Sequence, residues 1–182
     1  SAEHEVSLQS ARNVINNLDK KKYEVVPMGI TKTGKWLLGN TSNFLLNANN
    51  PKLIKLNSAS RKIIPINDEV RTKEKIDVIF PVLHGPYGED GSMQGLLKLA
   101  GVPFVGAGVL GSAVGMDKDV MKRLLREAGL PVGDFIAKKL GEKINFNKIK
   151  KGLGLPVFVK PANLGSSVGI NKARNEKEFK FA

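Results

Sequence analysis

The feature that most constrains the fold is an apolar run at residues 76–83, which reads Ile-Asp-Val-Ile-Phe-Pro-Val-Leu and is followed by His84-Gly85. A run with so few polar residues predicts a strand buried on both faces of a sheet. A short helix through Leu99 and a second strand at residues 102–105 are predicted to follow. Because alternating strands and helices are typical of parallel sheets, the sequence predicts an α/β fold. His84 should then lie at the edge where such sheets bind ligands.

The residues before this run predict further elements of the same domain. Apolar residues at three- and four-residue spacing between positions 8 and 18 predict an amphipathic helix, and residues 23–30 predict a strand. The stretch at residues 39–75 is polar and asparagine-rich, which predicts an edge hairpin with loops. Its composition indicates no function.

A small, glycine-rich segment at residues 106–112 marks a boundary between two domains. We predict one domain at residues 1–106 and the start of a second at residues 107–182. In the second domain, a helix that begins near Asp117 and ends at Gly129 precedes two strands. These two strands, at residues 135–139 and 156–160, indicate a second α/β unit that is not completed within this sequence.

The composition excludes several kinds of chemistry. The sequence has no cysteine and two histidines, so disulfide bonds are impossible within it and a histidine-based zinc site is not expected. No stretch approaches the ~20 consecutive apolar residues of a membrane-spanning helix. The first five residues are too polar and acidic for a secretory signal. We therefore expect a folded cytoplasmic protein without a membrane partner.

The net charge of +12 could reflect nucleic-acid binding, a solvated basic surface, or acidic residues that lie outside this sequence. The lysines are scattered through predicted turns and linkers, without interleaved aromatic side chains on which bases could stack. This distribution favours a solvated surface, and we expect no nucleic-acid partner.

Near the end of the chain, a glycine-rich turn follows the apolar strand that ends in Lys160. A small turn lets backbone N–H groups approach an anion closely, and the lysine adds positive charge beside it. A turn without any ligand is the alternative, since loops with glycine and serine are common. The preceding strand and its lysine favour a nucleotide-phosphate site made of Gly165, Ser166, Ser167, Val168 and Gly169.

Lys118 is a second candidate, because it should lie in the first turn of the helix that begins near Asp117. The helix dipole disfavours a cation at this position by about 0.3 to 1 kcal/mol. A bound phosphate would offset this cost, whereas a flexible side chain that points into water would avoid it. The residues alone do not choose between these interpretations.

Polar groups of the first domain also allow two interpretations each. Glu3 either serves a site or complements the dipole of the first helix. His84 either hydrogen-bonds a ligand or satisfies carbonyl groups at the strand end. The segment Glu-Asp-Gly at residues 89–91 either binds a metal ion or caps the following helix, for which Asp90 and Ser92 are the candidates.

Several motifs, taken in order, resemble one family from end to end. They are Ser-Ala-Glu-His-Glu-Val-Ser-Leu at residues 1–8, Leu-His-Gly at 83–85, Gly-Glu-Asp-Gly at 88–91, Met-Asp-Lys at 116–118, and Val-Lys-Pro at 159–161 followed by Gly-Ser-Ser-Val-Gly at 165–169. Together they resemble the D-alanine–D-alanine ligases of the ATP-grasp superfamily. Several motifs in the correct order are far more specific than any one alone.

The resemblance implies an ATP-dependent ligase that joins two D-alanines to D-alanyl-D-alanine for peptidoglycan synthesis. ATP would phosphorylate the carboxylate of the first D-alanine, and the amine of the second would attack the acyl phosphate. Glu3 would bind the ammonium group of the first D-alanine, and His84 would lie close to the same substrate. Ser166 would orient a catalytic hydrogen-bond network that reaches Glu3.

On the ATP side, the resemblance implies that Lys118 and Lys160 hold phosphates of the nucleotide. Ser167 and its neighbours in the turn would cover the phosphates. Cations and preorganised N–H donors stabilise the charge on a transferring phosphoryl group, so these residue types suit the chemistry.

The resemblance also implies an N-terminal, Rossmann-like (pre-ATP-grasp) parallel-sheet domain followed by the first part of an ATP-grasp domain. The strand and paired glycines that the family places before Ser1 are absent, as is roughly the C-terminal half of the pattern. That half would carry the segment that contacts adenine, a closing loop and the ligands of Mg²⁺ or Mn²⁺, so no metal ligands are expected in this chain. We therefore expect the 182-residue chain alone to be inactive. Family members are usually homodimers.

Two alternatives remain open. Ligases that make D-alanyl-D-lactate or D-alanyl-D-serine share the motifs present here and differ largely in the absent half. A non-catalytic nucleotide-binding fragment is the alternative from a different class, and it would still depend on Lys160 for binding.

Overall fold

A computed structural model describes residues 3–39, 43–57, 62–63 and 76–182. The chain divides into two compact units, Ser1–Ser112 and Ala113–Ala182. The predicted boundary at residue 106 lies shortly before this division, because a helix at Val109–Met116 spans the junction.

The first unit contains helices α1 and α2 and strands β1 to β5, and α3 crosses the division between the units. In chain order these are α1 (His4–Asn17), β1 (Met28–Ile30), β2 (Trp36–Leu38), β3 (Leu45–Leu46), β4 (Lys55–Leu56), β5 (Lys62–Ile63), α2 (Ser92–Leu99) and α3 (Val109–Met116). The predicted helix at residues 8–18 is confirmed but begins earlier, and the predicted strand at residues 23–30 is shortened to its last three residues.

Short antiparallel strands cover the apolar face of α1. The strand order of one sheet is β1-β2-β5, with Met28 opposite Leu38 and Leu37 opposite Ile63, while β3 and β4 form a separate antiparallel pair. The β3–β4 pair agrees with the hairpin predicted within residues 39–75, and part of that stretch lies outside the described residues. The core beneath these strands consists of Leu8, Leu37, Phe44, Ile54 and Leu56.

The apolar run at residues 76–83 forms less of a sheet than its sequence predicts. Ile79 forms a parallel bridge to Phe104, in which Ile79 N–H donates to Pro103 O at 2.9 Å and Val105 N–H donates to Ile79 O at 2.9 Å. The parallel direction is therefore confirmed at one point. Burial on both faces is wrong, since Val78 is 49% exposed and Phe80 is 50% exposed.

The physical reason is that residues 102–105 are the one parallel neighbour of this run within the described part of the chain. A strand is buried on both faces when other strands and helices surround it. Here the run instead lines an apolar cavity of about 790 Å³, together with side chains of α1 that include Val14 and Ile15.

The second unit contains α4 (Lys118–Glu127), α5 (Phe146–Leu153), β6 (Val157–Val159), β7 (Asn171–Ala173) and α6 (Glu176–Phe181). Helix α4 begins where the sequence predicts, because the side chain of Asp117 accepts hydrogen bonds from the N–H groups of Asp119 and Val120. Strands β6 and β7 pair antiparallel, with Phe158 opposite Lys172. Ile149, Val157 and Ala173 form the small core of this unit.

The strand predicted at residues 135–139 is absent from the structure, which places no regular element there. The Phe135 ring lies against α4 instead, with Lys122 Nζ and Arg126 Cζ each 4.9 Å from its centroid. Packing of the aromatic ring against helical cations takes the place of sheet pairing for this segment. Within the described ranges, no helix has both the length and the apolar character needed to cross a bilayer.

Candidate functional site

In the first unit, the start of α1 is tied to the end of the apolar run. Glu3 is the N-cap residue of α1, and its carbonyl oxygen accepts from both the N–H and the hydroxyl of Ser7 at 3.0 Å. The Ser7 hydroxyl oxygen in turn accepts from the backbone N–H of His84 at 2.9 Å. The structure thus brings Glu3 and His84, two residues far apart in sequence, to one place.

The Glu3 carboxylate lies directly against Gly85. Gly85 has a φ of +78°, and a Cβ atom at this residue would lie 3.0 Å from Glu3 Oε1. Its N–H donates to Glu89 Oε2 at 2.6 Å. The left-handed backbone therefore favours glycine at this position, and the absence of a Cβ atom lets the carboxylate approach closely.

The His84 ring is held between a hydroxyl and a carboxylate. Ser10 Oγ lies 2.8 Å from His84 Nε2, and Glu89 Oε1 lies 3.7 Å from His84 Nδ1. The ring is about one-third exposed, since the relative accessibility of the side chain is 34%. The sequence allowed His84 to bind a ligand or strand-end carbonyls, and it did not predict these two partners.

Ser7 and Ser10 are residues that the sequence interpretation missed, and Glu89 has a role that it did not predict. The two serines follow each other at three-residue spacing on α1, and Ser7 is buried. Polar residues at this spacing share one helix face, so their presence beside the apolar stripe was the available signal. Glu89 was considered as a metal ligand or part of a cap, and in the structure its carboxylate contacts His84 and Gly85.

Asp90 stabilises the turn before α2. Asp90 Oδ1 accepts from Ser92 N–H at 3.0 Å, and Asp90 Oδ2 accepts from Tyr87 N–H at 2.9 Å. Burial raises the pKa of Asp90, but these hydrogen bonds outweigh it, so the pKa lies below the ordinary aspartate value. The predicted capping role of Asp90 is supported, although Gly91 occupies the formal N-cap position. Among the described residues, no group of three His, Asp or Glu side chains could hold a metal ion.

In the second unit, the glycine-rich turn joins β6 to β7 and contains unusual backbone angles. Ser166 has a φ of +48°, Ser167 of +61° and Gly169 of +70°. For a residue other than glycine, a left-handed conformation costs about 1–2 kcal/mol. The turn is closed by hydrogen bonds from Val168 N–H to Gly165 O at 3.0 Å and from Ile170 N–H to Ser167 O at 3.3 Å. Strain of this kind clusters at ligand-binding sites.

Gly169 packs the turn against the residues that follow β6. A Cβ atom at Gly169 would lie 2.8 Å from Cγ of Pro161 and 3.3 Å from its Cδ. The Val-Lys-Pro and Gly-Ser-Ser-Val-Gly motifs are therefore in direct contact, and glycine at residue 169 permits that contact.

Lys118 lies at the same loop. Its backbone N–H donates to Ala162 O at 3.0 Å, and its ammonium group donates to Ala162 O at 3.2 Å and to Leu164 O. These carbonyl groups lie just before the turn, so they favour a cation in the first turn of α4 despite the helix dipole. The interpretation that the Lys118 side chain simply points into water is wrong.

Lys160 and Lys172 flank an exposed aromatic ring on the β6–β7 hairpin. Lys160 Nζ lies 6.0 Å and Lys172 Nζ 5.7 Å from the centroid of Phe158, which is 56% exposed. Phe158 and Lys172 are cross-strand partners, and Lys160 follows Phe158 by two residues, so all three share one face. This face combines positive charge with an open aromatic surface beside the strained turn, which suits a nucleotide.

Comparison with solved structures defines the class of protein. The structure is similar to a D-alanine–D-alanine ligase from Coxiella burnetii (TM-score 0.77, 32% identity, 100% of this chain and 56% of that one). It is also similar to the VanG D-Ala:D-Ser ligase of Enterococcus faecalis (0.73, 36%, 100% and 55%). A third similar structure is the Bacillus anthracis D-alanine–D-alanine ligase complexed with ATP (0.67, 31%, 100% and 49%). The mixed α/β fold is thus similar to that of ATP-grasp ligases.

The chain belongs to the D-alanine–D-alanine ligase family. The family model described as D-ala D-ala ligase N-terminus matches residues 1–107, and that described as D-ala D-ala ligase C-terminus matches residues 124–182. The chain is 48% identical to a D-alanine–D-alanine ligase of Oceanobacillus iheyensis over 98% of its own length, and 50% identical to one of Shouchella clausii over 100%. It spans about half the length of these curated relatives, 52% and 53% respectively. The resemblance found in the sequence motifs is confirmed.

Proposed function

We propose that this chain is part of an enzyme that joins two D-alanines to D-alanyl-D-alanine at the expense of ATP, for peptidoglycan synthesis. The carboxylate of the first D-alanine takes the γ-phosphoryl group of ATP, which releases ADP and forms an acyl phosphate. The amine of the second D-alanine then attacks the acyl carbon, and the resulting tetrahedral intermediate expels inorganic phosphate. The observation that carries the proposal is the strained turn with Lys118 and Lys160 beside it, in a chain whose relatives are D-alanine–D-alanine ligases.

The second unit supplies the phosphate contacts in this proposal. Lys160 binds ATP phosphates from the end of β6, and Lys118 does so from the first turn of α4. Residues 165–169 close over the phosphates, and Ser166 takes part in the hydrogen-bond network that orients the reacting groups. The left-handed angles of Ser166 and Ser167 support this assignment, because a ligand-binding role accounts for backbone strain at two consecutive serines.

The first unit supplies the contacts to the first D-alanine. The Glu3 carboxylate is proposed to accept hydrogen bonds from its ammonium group, and His84 to lie against the same substrate. The support is geometric, since Glu3 lies against Gly85 and His84 follows the apolar run at its end. A carboxylate paired with an ammonium group forms strong, charge-assisted hydrogen bonds.

The resemblance also implies Mg²⁺ or Mn²⁺, whose role would be to neutralise the phosphate charge. The described residues contain no cluster of carboxylates fit to hold such an ion. We propose that its ligands lie in the part of the relatives that this chain does not span. We further propose that the enzyme is cytoplasmic and a homodimer. Sedimentation of the full-length protein tests the homodimer.

The first experiment is phosphate release from Mg-ATP by a full-length protein that carries these residues, with D-alanine compared against L-alanine. We expect release with D-alanine alone. Equal release with both amino acids, or none with either, would contradict the proposal.

Measurements of nucleotide affinity test the proposed ATP site separately. Lys160→Ala should weaken ATP binding, whereas Lys151→Ala should not, because Lys151 is an exposed lysine in the last turn of α5 in the same unit. The two variants remove the same charge, so a general loss of positive potential would affect both equally. Unchanged ATP affinity in Lys160→Ala would argue against a phosphate-binding role for Lys160.

A second candidate function is ligation of D-alanine to D-serine. Similarity to the VanG D-Ala:D-Ser ligase, at 36% identity, favours keeping this alternative. A D-lactate acceptor is the related possibility. Mass spectrometry of products formed from D-alanine with D-serine or D-lactate in competition would identify the second substrate.

A further inference from the structure

Ser10 is a direct polar partner of the His84 ring. The serine lies in the middle of α1, and its hydroxyl oxygen is 2.8 Å from His84 Nε2. Ser7, one helical turn earlier, holds the backbone N–H of the same histidine at 2.9 Å. Helix α1 therefore holds both the main chain and the side chain of His84.

The carboxylate on the other side of the ring indicates the tautomer. Glu89 Oε1 lies 3.7 Å from His84 Nδ1, and an ionised carboxylate favours an N–H group facing it. The neutral ring then carries its proton on Nδ1 and a lone pair on Nε2. Ser10 consequently donates its hydroxyl hydrogen to Nε2.

A serine, a histidine and a carboxylate in series also occur in hydrolases, where the serine is a nucleophile. Such a nucleophile needs N–H donors that stabilise the oxyanion. Ser10 lies inside α1 (His4–Asn17), where backbone N–H groups are committed to the hydrogen bonds of the helix. The arrangement therefore suits the orientation of the ring rather than attack by the hydroxyl.

We propose that Ser10 is a positioning residue that fixes the tautomer and orientation of His84. Both ring nitrogens face protein groups. His84 therefore contacts the substrate as a ring of fixed orientation and does not exchange a proton with it. This inference rests on the proposed function in one respect, namely that the substrate beside His84 is D-alanine.

The first readout is the tautomer of the ring itself, measured by long-range ¹H–¹⁵N NMR on the full-length protein at alkaline pH. His84→Gln identifies the signals of this residue by their loss. We expect the Nδ1–H tautomer in the unmodified protein and a shift towards Nε2–H in Ser10→Ala. Ser10→Thr, which keeps the hydroxyl, should restore Nδ1–H, and Gln9→Ala is the control because Gln9 donates to Pro51 O instead.

The second readout is kinetic. Loss of one neutral hydrogen bond predicts that Ser10→Ala raises KM for the first D-alanine about 2- to 12-fold. The value of kcat should change less, and Ser10→Thr should recover most of the loss. Alanine is the best helix former, so the variant is expected to fold.

The outcomes separate the two proposals. An unchanged tautomer in Ser10→Ala would overturn the inference, whatever the enzyme catalyses. A changed tautomer with an unchanged KM would overturn the positioning role. If the protein does not use D-alanine at all, the proposed function fails, and a changed tautomer restored by Ser10→Thr would still support the assignment of Ser10 to His84.

Discussion

Replacement of Gly85 by alanine should both strain the backbone and displace the Glu3 carboxylate. A Cβ atom at this residue would lie 3.0 Å from Glu3 Oε1, 3.5 Å from Cδ and 3.6 Å from Cγ. The carboxylate is the far end of a flexible side chain, so it can move away at little cost in folding energy. It would then leave the position from which we propose that it binds the ammonium group of the first D-alanine.

Two magnitudes follow from this geometry. The φ of +78° at Gly85 predicts that Gly85→Ala lowers the free energy of unfolding by about 1–2 kcal/mol. Loss of a charge-assisted hydrogen bond, worth about 1.5–3 kcal/mol, predicts a KM for the first D-alanine that is roughly 10- to 150-fold higher. Stability is measured by urea unfolding of the full-length protein, and KM by phosphate release at saturating ATP.

Gly34 provides a matched control in the same unit. Its φ is +81°, and no atom lies within 4 Å of the position of a Cβ. Gly34→Ala should therefore lose the same stability, about 1–2 kcal/mol, and leave KM unchanged. Equal KM values for the two variants would refute the reasoning, because the position of Glu3 would then have no bearing on substrate binding.

Four further predictions concern the second unit, the turn before α2 and the whole chain. Gly169→Ala should lower the free energy of unfolding by about 2 kcal/mol or more, since it adds a clash to an unfavourable φ. Gly165→Ala has open space around the new Cβ atom and should lower it by less than about 1 kcal/mol, and urea unfolding measures both variants. Lys118→Met should cost about 1–2 kcal/mol and weaken ATP binding, measured by calorimetry, because it removes hydrogen bonds from a partly exposed ammonium group. The lowered pKa of Asp90 contributes stability at neutral pH that is lost as the pH falls below about 4, so Asp90→Asn should show a flatter dependence of unfolding free energy on pH between about 5 and 3. The 182-residue chain alone should release no phosphate from ATP with D-alanine, and detectable turnover would contradict that expectation.

Sequence predictions succeeded for the helices, strands and turns whose limits are set by residues close to them in sequence. Asp117 and Gly129 bracket α4 as predicted, because a cap and a left-handed glycine act on neighbouring residues. The strand ending at Lys160 and the glycine-rich turn were also found where the sequence predicts them. The motifs likewise identified the family, because their residue types and their order along the chain are properties of the sequence alone.

Predictions failed where a segment depends on neighbours that are distant in sequence. Residues 135–139 were predicted as a strand, yet no regular element forms there and Phe135 packs against α4 instead. Residues 76–83 have the composition of a buried strand, but burial requires flanking elements. Within the described ranges this run has one parallel neighbour, and Phe80 is half exposed. Apolar composition shows that a segment can be buried, whereas the neighbouring strands and helices determine whether it is buried.

By itself, the sequence determined the family, the helix caps and which residues can carry charge or a left-handed backbone. Only the tertiary structure decided which of them meet: Glu3 against Gly85, Ser10 against His84, and Lys118 against the loop that precedes the turn. The reason is that capping and backbone preference arise within a few residues of the chain. A hydrogen bond between residues 10 and 84, in contrast, exists only after packing has brought two separate elements within about 3 Å of each other.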